Sequence, residues 1–440
     1  MKLFRIKSLI LYITLLNAYA LCAQDSIPLS LESAVELAIQ KNTDISIVHH
    51  QVKSAEFALK EAKGNFLPKV NLNANYNRNI DRRVLFLPNA SGIGNTVTQL
   101  GSDNDYSSSL NMTLPVFSNY NYINKKFSEI QLLFQNESAR AVKQAVVNST
   151  KKTYFAYLIA QEVVKVQKRQ LKNAQETLMD IQKRMKQGTL TDYDLTTAKV
   201  QVANAKSNLL EAQSNMMPLA NNLKLLLGLK SNNALKLTDP ITMLEDELNI
   251  EQGVNLMLEQ NSKLKQLELD IDLNENQVKL AKSAFYPTLD AIGNYNYQTQ
   301  ADDFDVSNYN WVNTSLVGLQ LQFPIFNGNI TKHKVQQANV GKSIAEEQKE
   351  FTTRQYRMQF EELLSQLNFS KQKVDVQKEN MELTKDALEL SKKRYRFGVG
   401  TFLEVNNAEL SYTQAQLNWL QAISDCKSAY YDYQLLIGKE

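Results

Sequence analysis

The chain has 440 residues, 43% of them hydrophobic, with 49 Lys and Arg against 46 Asp and Glu. A formal charge of +3, spread through segments where Lys and Glu alternate, excludes a nucleic-acid partner held by a basic block. Two cysteines exclude a disulfide framework, and beyond the N-terminus no apolar run reaches the length of a membrane-spanning helix, so a membrane role falls to strands.

In chain order, residues 1–23 read as a secretory signal peptide. Lys2, Arg5 and Lys7 precede an apolar run from Leu9 to Leu16 and the small-residue site Ala18-Tyr19-Ala20. Ala23 offers a second cleavage point, and Leu21 disfavours lipid attachment to Cys22. Cys426 is then the remaining thiol; it falls on a heptad stripe and is expected as a small buried hydrophobe. The rest of the chain is a duplicated half-protein, 24–229 and 230–440. Leu31, Ala34, Asn42, Phe66, Pro68 and Tyr76 are matched by Ile250, Gly253, Asn261, Phe285, Pro287 and Tyr295 at one offset. Further on, Leu114-Pro115-Val116-Phe117 matches Phe323-Pro324-Ile325-Phe326, and Arg184, Gly188, Thr191 and Gly228 match Arg394, Gly398, Thr401 and Gly438.

Each half opens with a short amphipathic helix that ends at Pro68 or Pro287. The period then changes to two. Val70, Leu72, Ala74 and Tyr76 alternate with Asn71, Asn73, Asn75 and Asn77, and Leu110, Met112 and Leu114 form the return strand across a Gly-, Ser- and Asp-rich loop. The second half repeats this with Leu289, Ala291, Tyr295 and Tyr297 against Asp290, Asn294 and Asn296, then with Val317, Leu319 and Leu321. The β-hairpins lie at about 68–116 and 287–325, giving four strands per chain. Tyr309 and Trp311 start the last of them beside a loop, where an aromatic girdle at a lipid interface would sit. Four strands with one apolar and one Asn-rich face cannot close alone, since a transmembrane barrel needs at least about 8. Pooled strands of several chains satisfy this pattern, and two hairpins packed on the helices of a soluble protein are the alternative.

The segments from Asn119 to Lys186 and from Ile344 to Phe397 contain no Gly or Pro. Their apolar residues step by seven: Tyr157, Val164, Leu171, Leu178 and Met185; Leu367, Val374, Met381, Leu388 and Tyr395. That period means coiled-coil packing. Gly-bearing breaks follow, and returning helices carry Leu195, Val202, Leu209 and Met216, or Val405, Tyr412, Trp419 and Cys426, with alanines between. Each half therefore contains a long antiparallel coiled-coil hairpin, at about 119–229 and 328–437, with Pro218 expected to kink or break the first return helix.

No catalytic constellation is visible. His49 and His50 point about 100° apart on a helix and His333 is remote, so no metal site is expected. Gly92-Ile93-Gly94 and Gly398-Val399-Gly400 lack the lysine and spacing of a nucleotide loop and read as turns. No cofactor is expected.

The ordered set of features, namely the duplication, the strand entries at Pro68 and Pro287, the strand exits and the turns at Gly188 and Gly398, resembles the TolC family of bacterial outer-membrane efflux and secretion channels over essentially the whole mature chain. The resemblance implies a mainly α fold with a β-barrel contribution: a homotrimer whose twelve pooled strands form one barrel in outer-membrane lipid, over a periplasmic tunnel of coiled-coil hairpins. It implies a passive exit duct engaged by a periplasmic adaptor and an inner-membrane pump, such as an RND or ABC transporter. The Asn faces would line the lumen. The turns, with Gly188, Thr191, Gly398 and Thr401, would be the tip where the adaptor docks. By motif, Asp194 and Glu404 match acidic residues that constrict the tip, and Tyr395 a tyrosine of the closed network; Asn407 stands where a second acid often lies and Gly400 where an arginine clamp can lie. Those two departures argue against a tight ionic latch. Asp194 and Glu404 are equally read as helix N-terminal charges that stabilise the dipole. The rival from another class is a periplasmic or surface coiled-coil scaffold or adaptor without a barrel.

Overall fold

The structure, a computed structural model, describes residues 27–87, 96–187, 191–242 and 250–439. The expected signal peptide, the pair at Gly92 and Gly94, and Gly188 lie outside the described residues. The first half runs β1 (Ile27–Leu29), α1 (Leu31–Lys41), α2 (Thr43–Gly64), β2 (Lys69–Arg78), β3 (Arg83–Leu87), β4 (Thr96–Leu100), β5 (Asn104–Ser118), α3 (Asn119–Lys186) and α4 (Asp192–Leu226). The second runs β6 (Leu235–Leu237), α5 (Ile250–Gln260), α6 (Ser262–Ser283), β7 (Thr288–Ala301), β8 (Val312–Gln322), α7 (Ile330–Arg396) and α8 (Phe402–Leu436). The duplication extends to lengths: α1 and α5 have 11 residues each, α2 and α6 have 22, α3 and α7 have 68 and 67, and α4 and α8 have 35.

The chain forms two compact units, one of residues up to 50, 137–266 and 350–440, the other of 51–136 and 267–349. The first holds the coiled-coil hairpins. As the heptads predict, Ala198, Ala205 and Ala212 are buried along α4, and Ala415, Ala422 and Ala429 along α8; small side chains there let helices approach closely. Cys426 is buried in the same apolar core as Leu367, Phe360 and Ile423, as expected.

Matched residues turn out to build one junction twice. Asn42 ends α1 by donating from Nδ2 to the Leu226 carbonyl at 3.0 Å, while its Oδ1 accepts from the Asp44 amide at 2.8 Å. Asn261 does the same with the Leu436 carbonyl at 2.9 Å and the Lys263 amide at 2.9 Å. The return helix of each half is thereby tied to the bend between its two short helices. Gly228 (φ +62°) and Gly438 (φ +76°) seal the contact, since a Cβ there would stand 2.5 Å from the Lys41 carbonyl oxygen and 2.6 Å from that of Gln260. Such positions admit glycine alone.

The second unit holds an antiparallel sheet in the order β2-β5-β7-β8. The four strands and both hairpins are where the alternation places them. Five details differ from the sequence reading. The loop between β2 and β5 contains a further two-stranded ribbon, β3 with β4. In the first unit, β1 and β6 pair in parallel, held by the buried Tyr154, whose hydroxyl lies 2.9 Å from both the Leu29 carbonyl and an Asp239 carboxylate oxygen. The single entry helix of each half is two helices, broken at Asn42 or Asn261. Helix α4 is not broken at Pro218, an exposed position between the buried Ala212 and Leu223. Helix α7 begins before Gly341, which lies against α6: a Cβ there would meet Asn274 Oδ1 at 3.3 Å.

Candidate channel lining and tip

Strand register turns the alternation into two faces. Asn71, Asn111 and Asn294 fall in one row across β2, β5 and β7, and Asn294 Nδ2 donates to Asn111 Oδ1 at 2.6 Å. Asn73, Ser109, Asn296 and Thr314 form the adjacent row. Asn75 and Asn77 continue this face opposite Ser107 and Asp105. The rows between them point the other way: Val70 with Met112, and Leu72 with Leu110 and Tyr295. On β8 that face carries Val317 (89% exposed) and Leu319 (72%). The Asn face is not wholly polar, since Ile292 and Leu316 share it. Among the described residues β2 and β8 each pair on one side only, so the sheet ends in two open edges.

Aromatic rings gather at the strand ends remote from the helices. Tyr297 stacks on Trp311 with centroids 4.7 Å apart, and Tyr106 packs between Tyr76 at 4.9 Å and Tyr309 at 5.7 Å. Tyr309 and Trp311 precede β8, which starts at Val312, rather than opening it. Beside them Arg82 lies 2.8 Å from Asp103 and 2.7 Å from Asp302, tying one hairpin end to the other; its guanidinium holds the Asp103 carboxyl below the ordinary range. Sequence reasoning missed this trio, which has no counterpart at the repeat offset to flag it.

At the coiled-coil turns the local chemistry is capping. The Thr191 hydroxyl accepts from the Asp194 amide at 3.3 Å, and the Asp194 carboxylate accepts from the Thr191 amide at 3.0 Å and its hydroxyl at 2.7 Å. This reciprocal box starts α4 and lowers the Asp194 pKa from its ordinary value, the bond from the Thr191 backbone being the main cause. Thr401 starts α8 by accepting from the Glu404 amide at 3.2 Å. Glu404 itself turns to Arg394, with Nε 3.6 Å from its carboxylate, and Arg394 also donates to the Val399 carbonyl at 3.3 Å. Gly398, at φ +76°, allows the Val399 amide to reach back to the Arg394 carbonyl at 3.1 Å and close the turn. Gly400 is tightly placed: a Cβ there would stand 3.0 Å from Arg394 Cβ, so a larger residue needs its neighbours to give way.

Tyr395 joins the two hairpins. Its ring packs into a cluster of Leu178, Ile181, Leu195, Ala198 and Phe402, and the Arg184 guanidinium lies over it, 4.9 Å from the centroid. Burial raises the Tyr395 pKa, and its hydroxyl has no hydrogen-bond partner among the described residues. The structure thus groups Thr191 with Asp194, and Thr401, Glu404 and Gly400 around Arg394. Asn407 is exposed one turn further along α8. Arg394 and Arg184, absent from the sequence reading as site residues, were legible only as a matched pair.

Comparison with known proteins agrees with this geometry. The family model described as outer membrane efflux protein matches residues 34–229 and 253–439. Outer membrane protein TolC of Salmonella enteritidis is 22% identical over 391 residues, covering 86% of this chain and 75% of that protein. Among solved structures, the Campylobacter jejuni CmeC outer membrane channel superposes with a TM-score of 0.76 at 18% identity, covering 93% of this chain and 85% of the other. The outer membrane protein VceC of Vibrio cholerae gives 0.74 at 18% identity, covering 93% and 96%. The family model spans most of both matched halves, and the chain belongs to the outer membrane efflux protein family, an outer-membrane exit duct with a large periplasmic portion.

Proposed function

We propose that three copies pool their strands in a single twelve-strand barrel, and that a periplasmic adaptor and an inner-membrane pump engage the coiled-coil tips. The observation that carries this is the open-edged sheet: β2 and β8 leave a row of unpaired backbone groups on either side of an apolar face, which lipid tolerates only after closure. A second observation concerns α7. Phe369, Val376, Leu383 and Leu390 repeat every seven residues and are 67%, 61%, 61% and 61% exposed. That is a coiled-coil seam without a partner among the described residues, suited to a second copy. The Asn rows then face the lumen, and Tyr309 and Trp311 sit at the lipid interface. Work for export comes from the pump, and the duct is passive.

At the tip, three symmetry-related copies of Asp194 and Glu404 around a narrow axis would attract cations. Their capping and pairing roles stand beside the gating one. Purified from outer membranes in detergent, the protein is expected as a three-fold particle by electron microscopy; release without detergent, as a barrel-free monomer, would overturn the duct in favour of a coiled-coil scaffold. In planar bilayers Glu404→Gln and Asp194→Asn are expected to lower cation preference and raise conductance. Unchanged selectivity and conductance in both variants would remove the gate.

A further inference from the structure

The two ends of the four-stranded sheet carry opposite charge. At the end remote from the helices Asp81, Asp103, Asp302, Asp303 and Asp305 outnumber Arg78, Arg82 and Arg83. At the other end, where each half enters and leaves the sheet (60–69, 117–126, 279–288 and 323–334), Glu61 is the only acid and lysines recur. Some of these lysines are engaged locally. Lys125 and Lys126 share Glu129 at 3.6 and 3.7 Å, Lys279 pairs with Glu275 at 2.8 Å, and Lys60 lies over the Phe57 ring, 5.0 Å from its centroid. Lys69 falls on the amide face, two residues before Asn71. Lys63, Lys282, Lys332 and Lys334 are exposed and make no ion pair among the described residues. The helix macrodipole accounts for Lys63 and Lys282, in the last turns of α2 and α6, but it disfavours Lys332 in the first turn of α7, which holds no acid.

Exposed apolar side chains stand beside these lysines. In matched turns the Phe66 amide donates to the Lys63 carbonyl at 3.1 Å and the Phe285 amide to the Lys282 carbonyl at 3.0 Å, so each lysine is followed within one turn by an aromatic ring. On the exit from β8, shortly before Lys332, Ile325 is 91% and Phe326 79% exposed. These residues continue the apolar face of the sheet. Phe117 lies opposite Leu289, and Leu289 opposite Leu321, the next outward residue after Leu319; Phe323 follows two residues later.

We propose that Lys63, Lys282, Lys332 and Lys334, together with these apolar side chains, form a binding belt for anionic phospholipid headgroups in the periplasmic leaflet of the outer membrane. Acyl chains cover the rings, and the lysine stems run along them to carry their ammonium groups to the phosphates. Two observations select this occupant. The belt prolongs the face that the sheet turns to lipid, and its charge is positive where that of the remote end is negative, so anionic lipid is drawn to the helix end alone. The proposal needs the outer-membrane location of the sheet and not the pooling of three copies.

The test uses the full-length channel in a neutral detergent, titrated with phosphatidylglycerol or with phosphatidylcholine of the same acyl chains, the bound lipid being counted by native mass spectrometry. Phosphatidylglycerol is expected to bind about tenfold more tightly at low salt, with the gap narrowing as salt rises. The quadruple variant K63Q, K282Q, K332Q and K334Q should lose the preference while still binding phosphatidylcholine, and the pair K332Q and K334Q should lose it in part. Arg83→Gln, exposed at the remote end, should keep it. Ile325→Asp with Phe326→Asp should weaken both lipids. Equal binding of the two lipids by the unaltered channel, a preference that survives the quadruple variant, or displacement of phosphatidylglycerol by inorganic phosphate, the mark of a free-anion site, would overturn the proposal. Conductance is recorded on the same preparation: a conducting channel without the preference removes the belt and leaves the duct, whereas a preparation that never conducts removes the duct whatever lipid it binds.

Discussion

Gly228 and Gly398 both sit at positive φ just past a helix, yet the surroundings assign them different tolerances. At Gly398 a Cβ would meet nothing within 4 Å, so alanine bears the left-handed backbone penalty of about 1–2 kcal/mol and no more. At Gly228 the same substitution adds an overlap with the Lys41 carbonyl, at 2.5 Å, inside the junction that Asn42 ties together. Gly228→Ala is therefore expected to lower the thermal midpoint of the detergent-solubilised channel clearly more than Gly398→Ala. Equal losses in calorimetry would mean that the junction relaxes freely. From sequence, Gly228 and Gly438 stood out as matched, as did Asn42 and Asn261. What they contact did not, because the partners are backbone carbonyls, and any residue supplies a carbonyl.

The elements most fully legible in the sequence are those with a sustained period. Helix α3 has the boundaries its Gly- and Pro-free run implies, and β2 alternates as its asparagines do. Short elements escaped because three or five residues hold no period: β1 and β6 exist through Tyr154 and Asp239, and the β3–β4 ribbon through pairing within a loop. At Pro218 the helix does not break, since propensity is local and the packing on either side continues. The α7 stripe shows the converse, a period with no partner among the described residues. Phe369→Asp or Leu383→Asp removes an apolar side chain from the unpartnered seam while sparing Leu367 and Leu388, which are buried inside the protomer. Each variant is expected to fold and to shift the particle mass from trimer toward monomer in mass photometry. An undisturbed trimer would place the interface elsewhere.

For the whole molecule, the two sheet faces predict two kinds of failure. Asn73→Asp with Asn296→Asp adds carboxylates to one row of the amide face, and the assembled channel should still insert but pass cations in preference to anions. Leu319→Lys, on the other face, puts a charge against lipid at a penalty of about 2–4 kcal/mol near the midplane, and should reduce insertion itself. Bilayer recordings of the first and outer-membrane yield of the second separate the faces; swapped phenotypes would mean the sheet is inside out. Fold and faces were readable because alternation and heptads are properties of the chain alone. The grouping of Arg394 with Glu404, Arg184 with Tyr395, and Arg82 with two aspartates was not, being settled by how separate segments meet. The β3–β4 ribbon has a different kind of consequence, because between β7 and β8 the second half has only a short turn at Val306–Asn308. The two halves therefore match in their strands and helices but not at their hairpin ends, so one chain presents two different surfaces there rather than one surface twice.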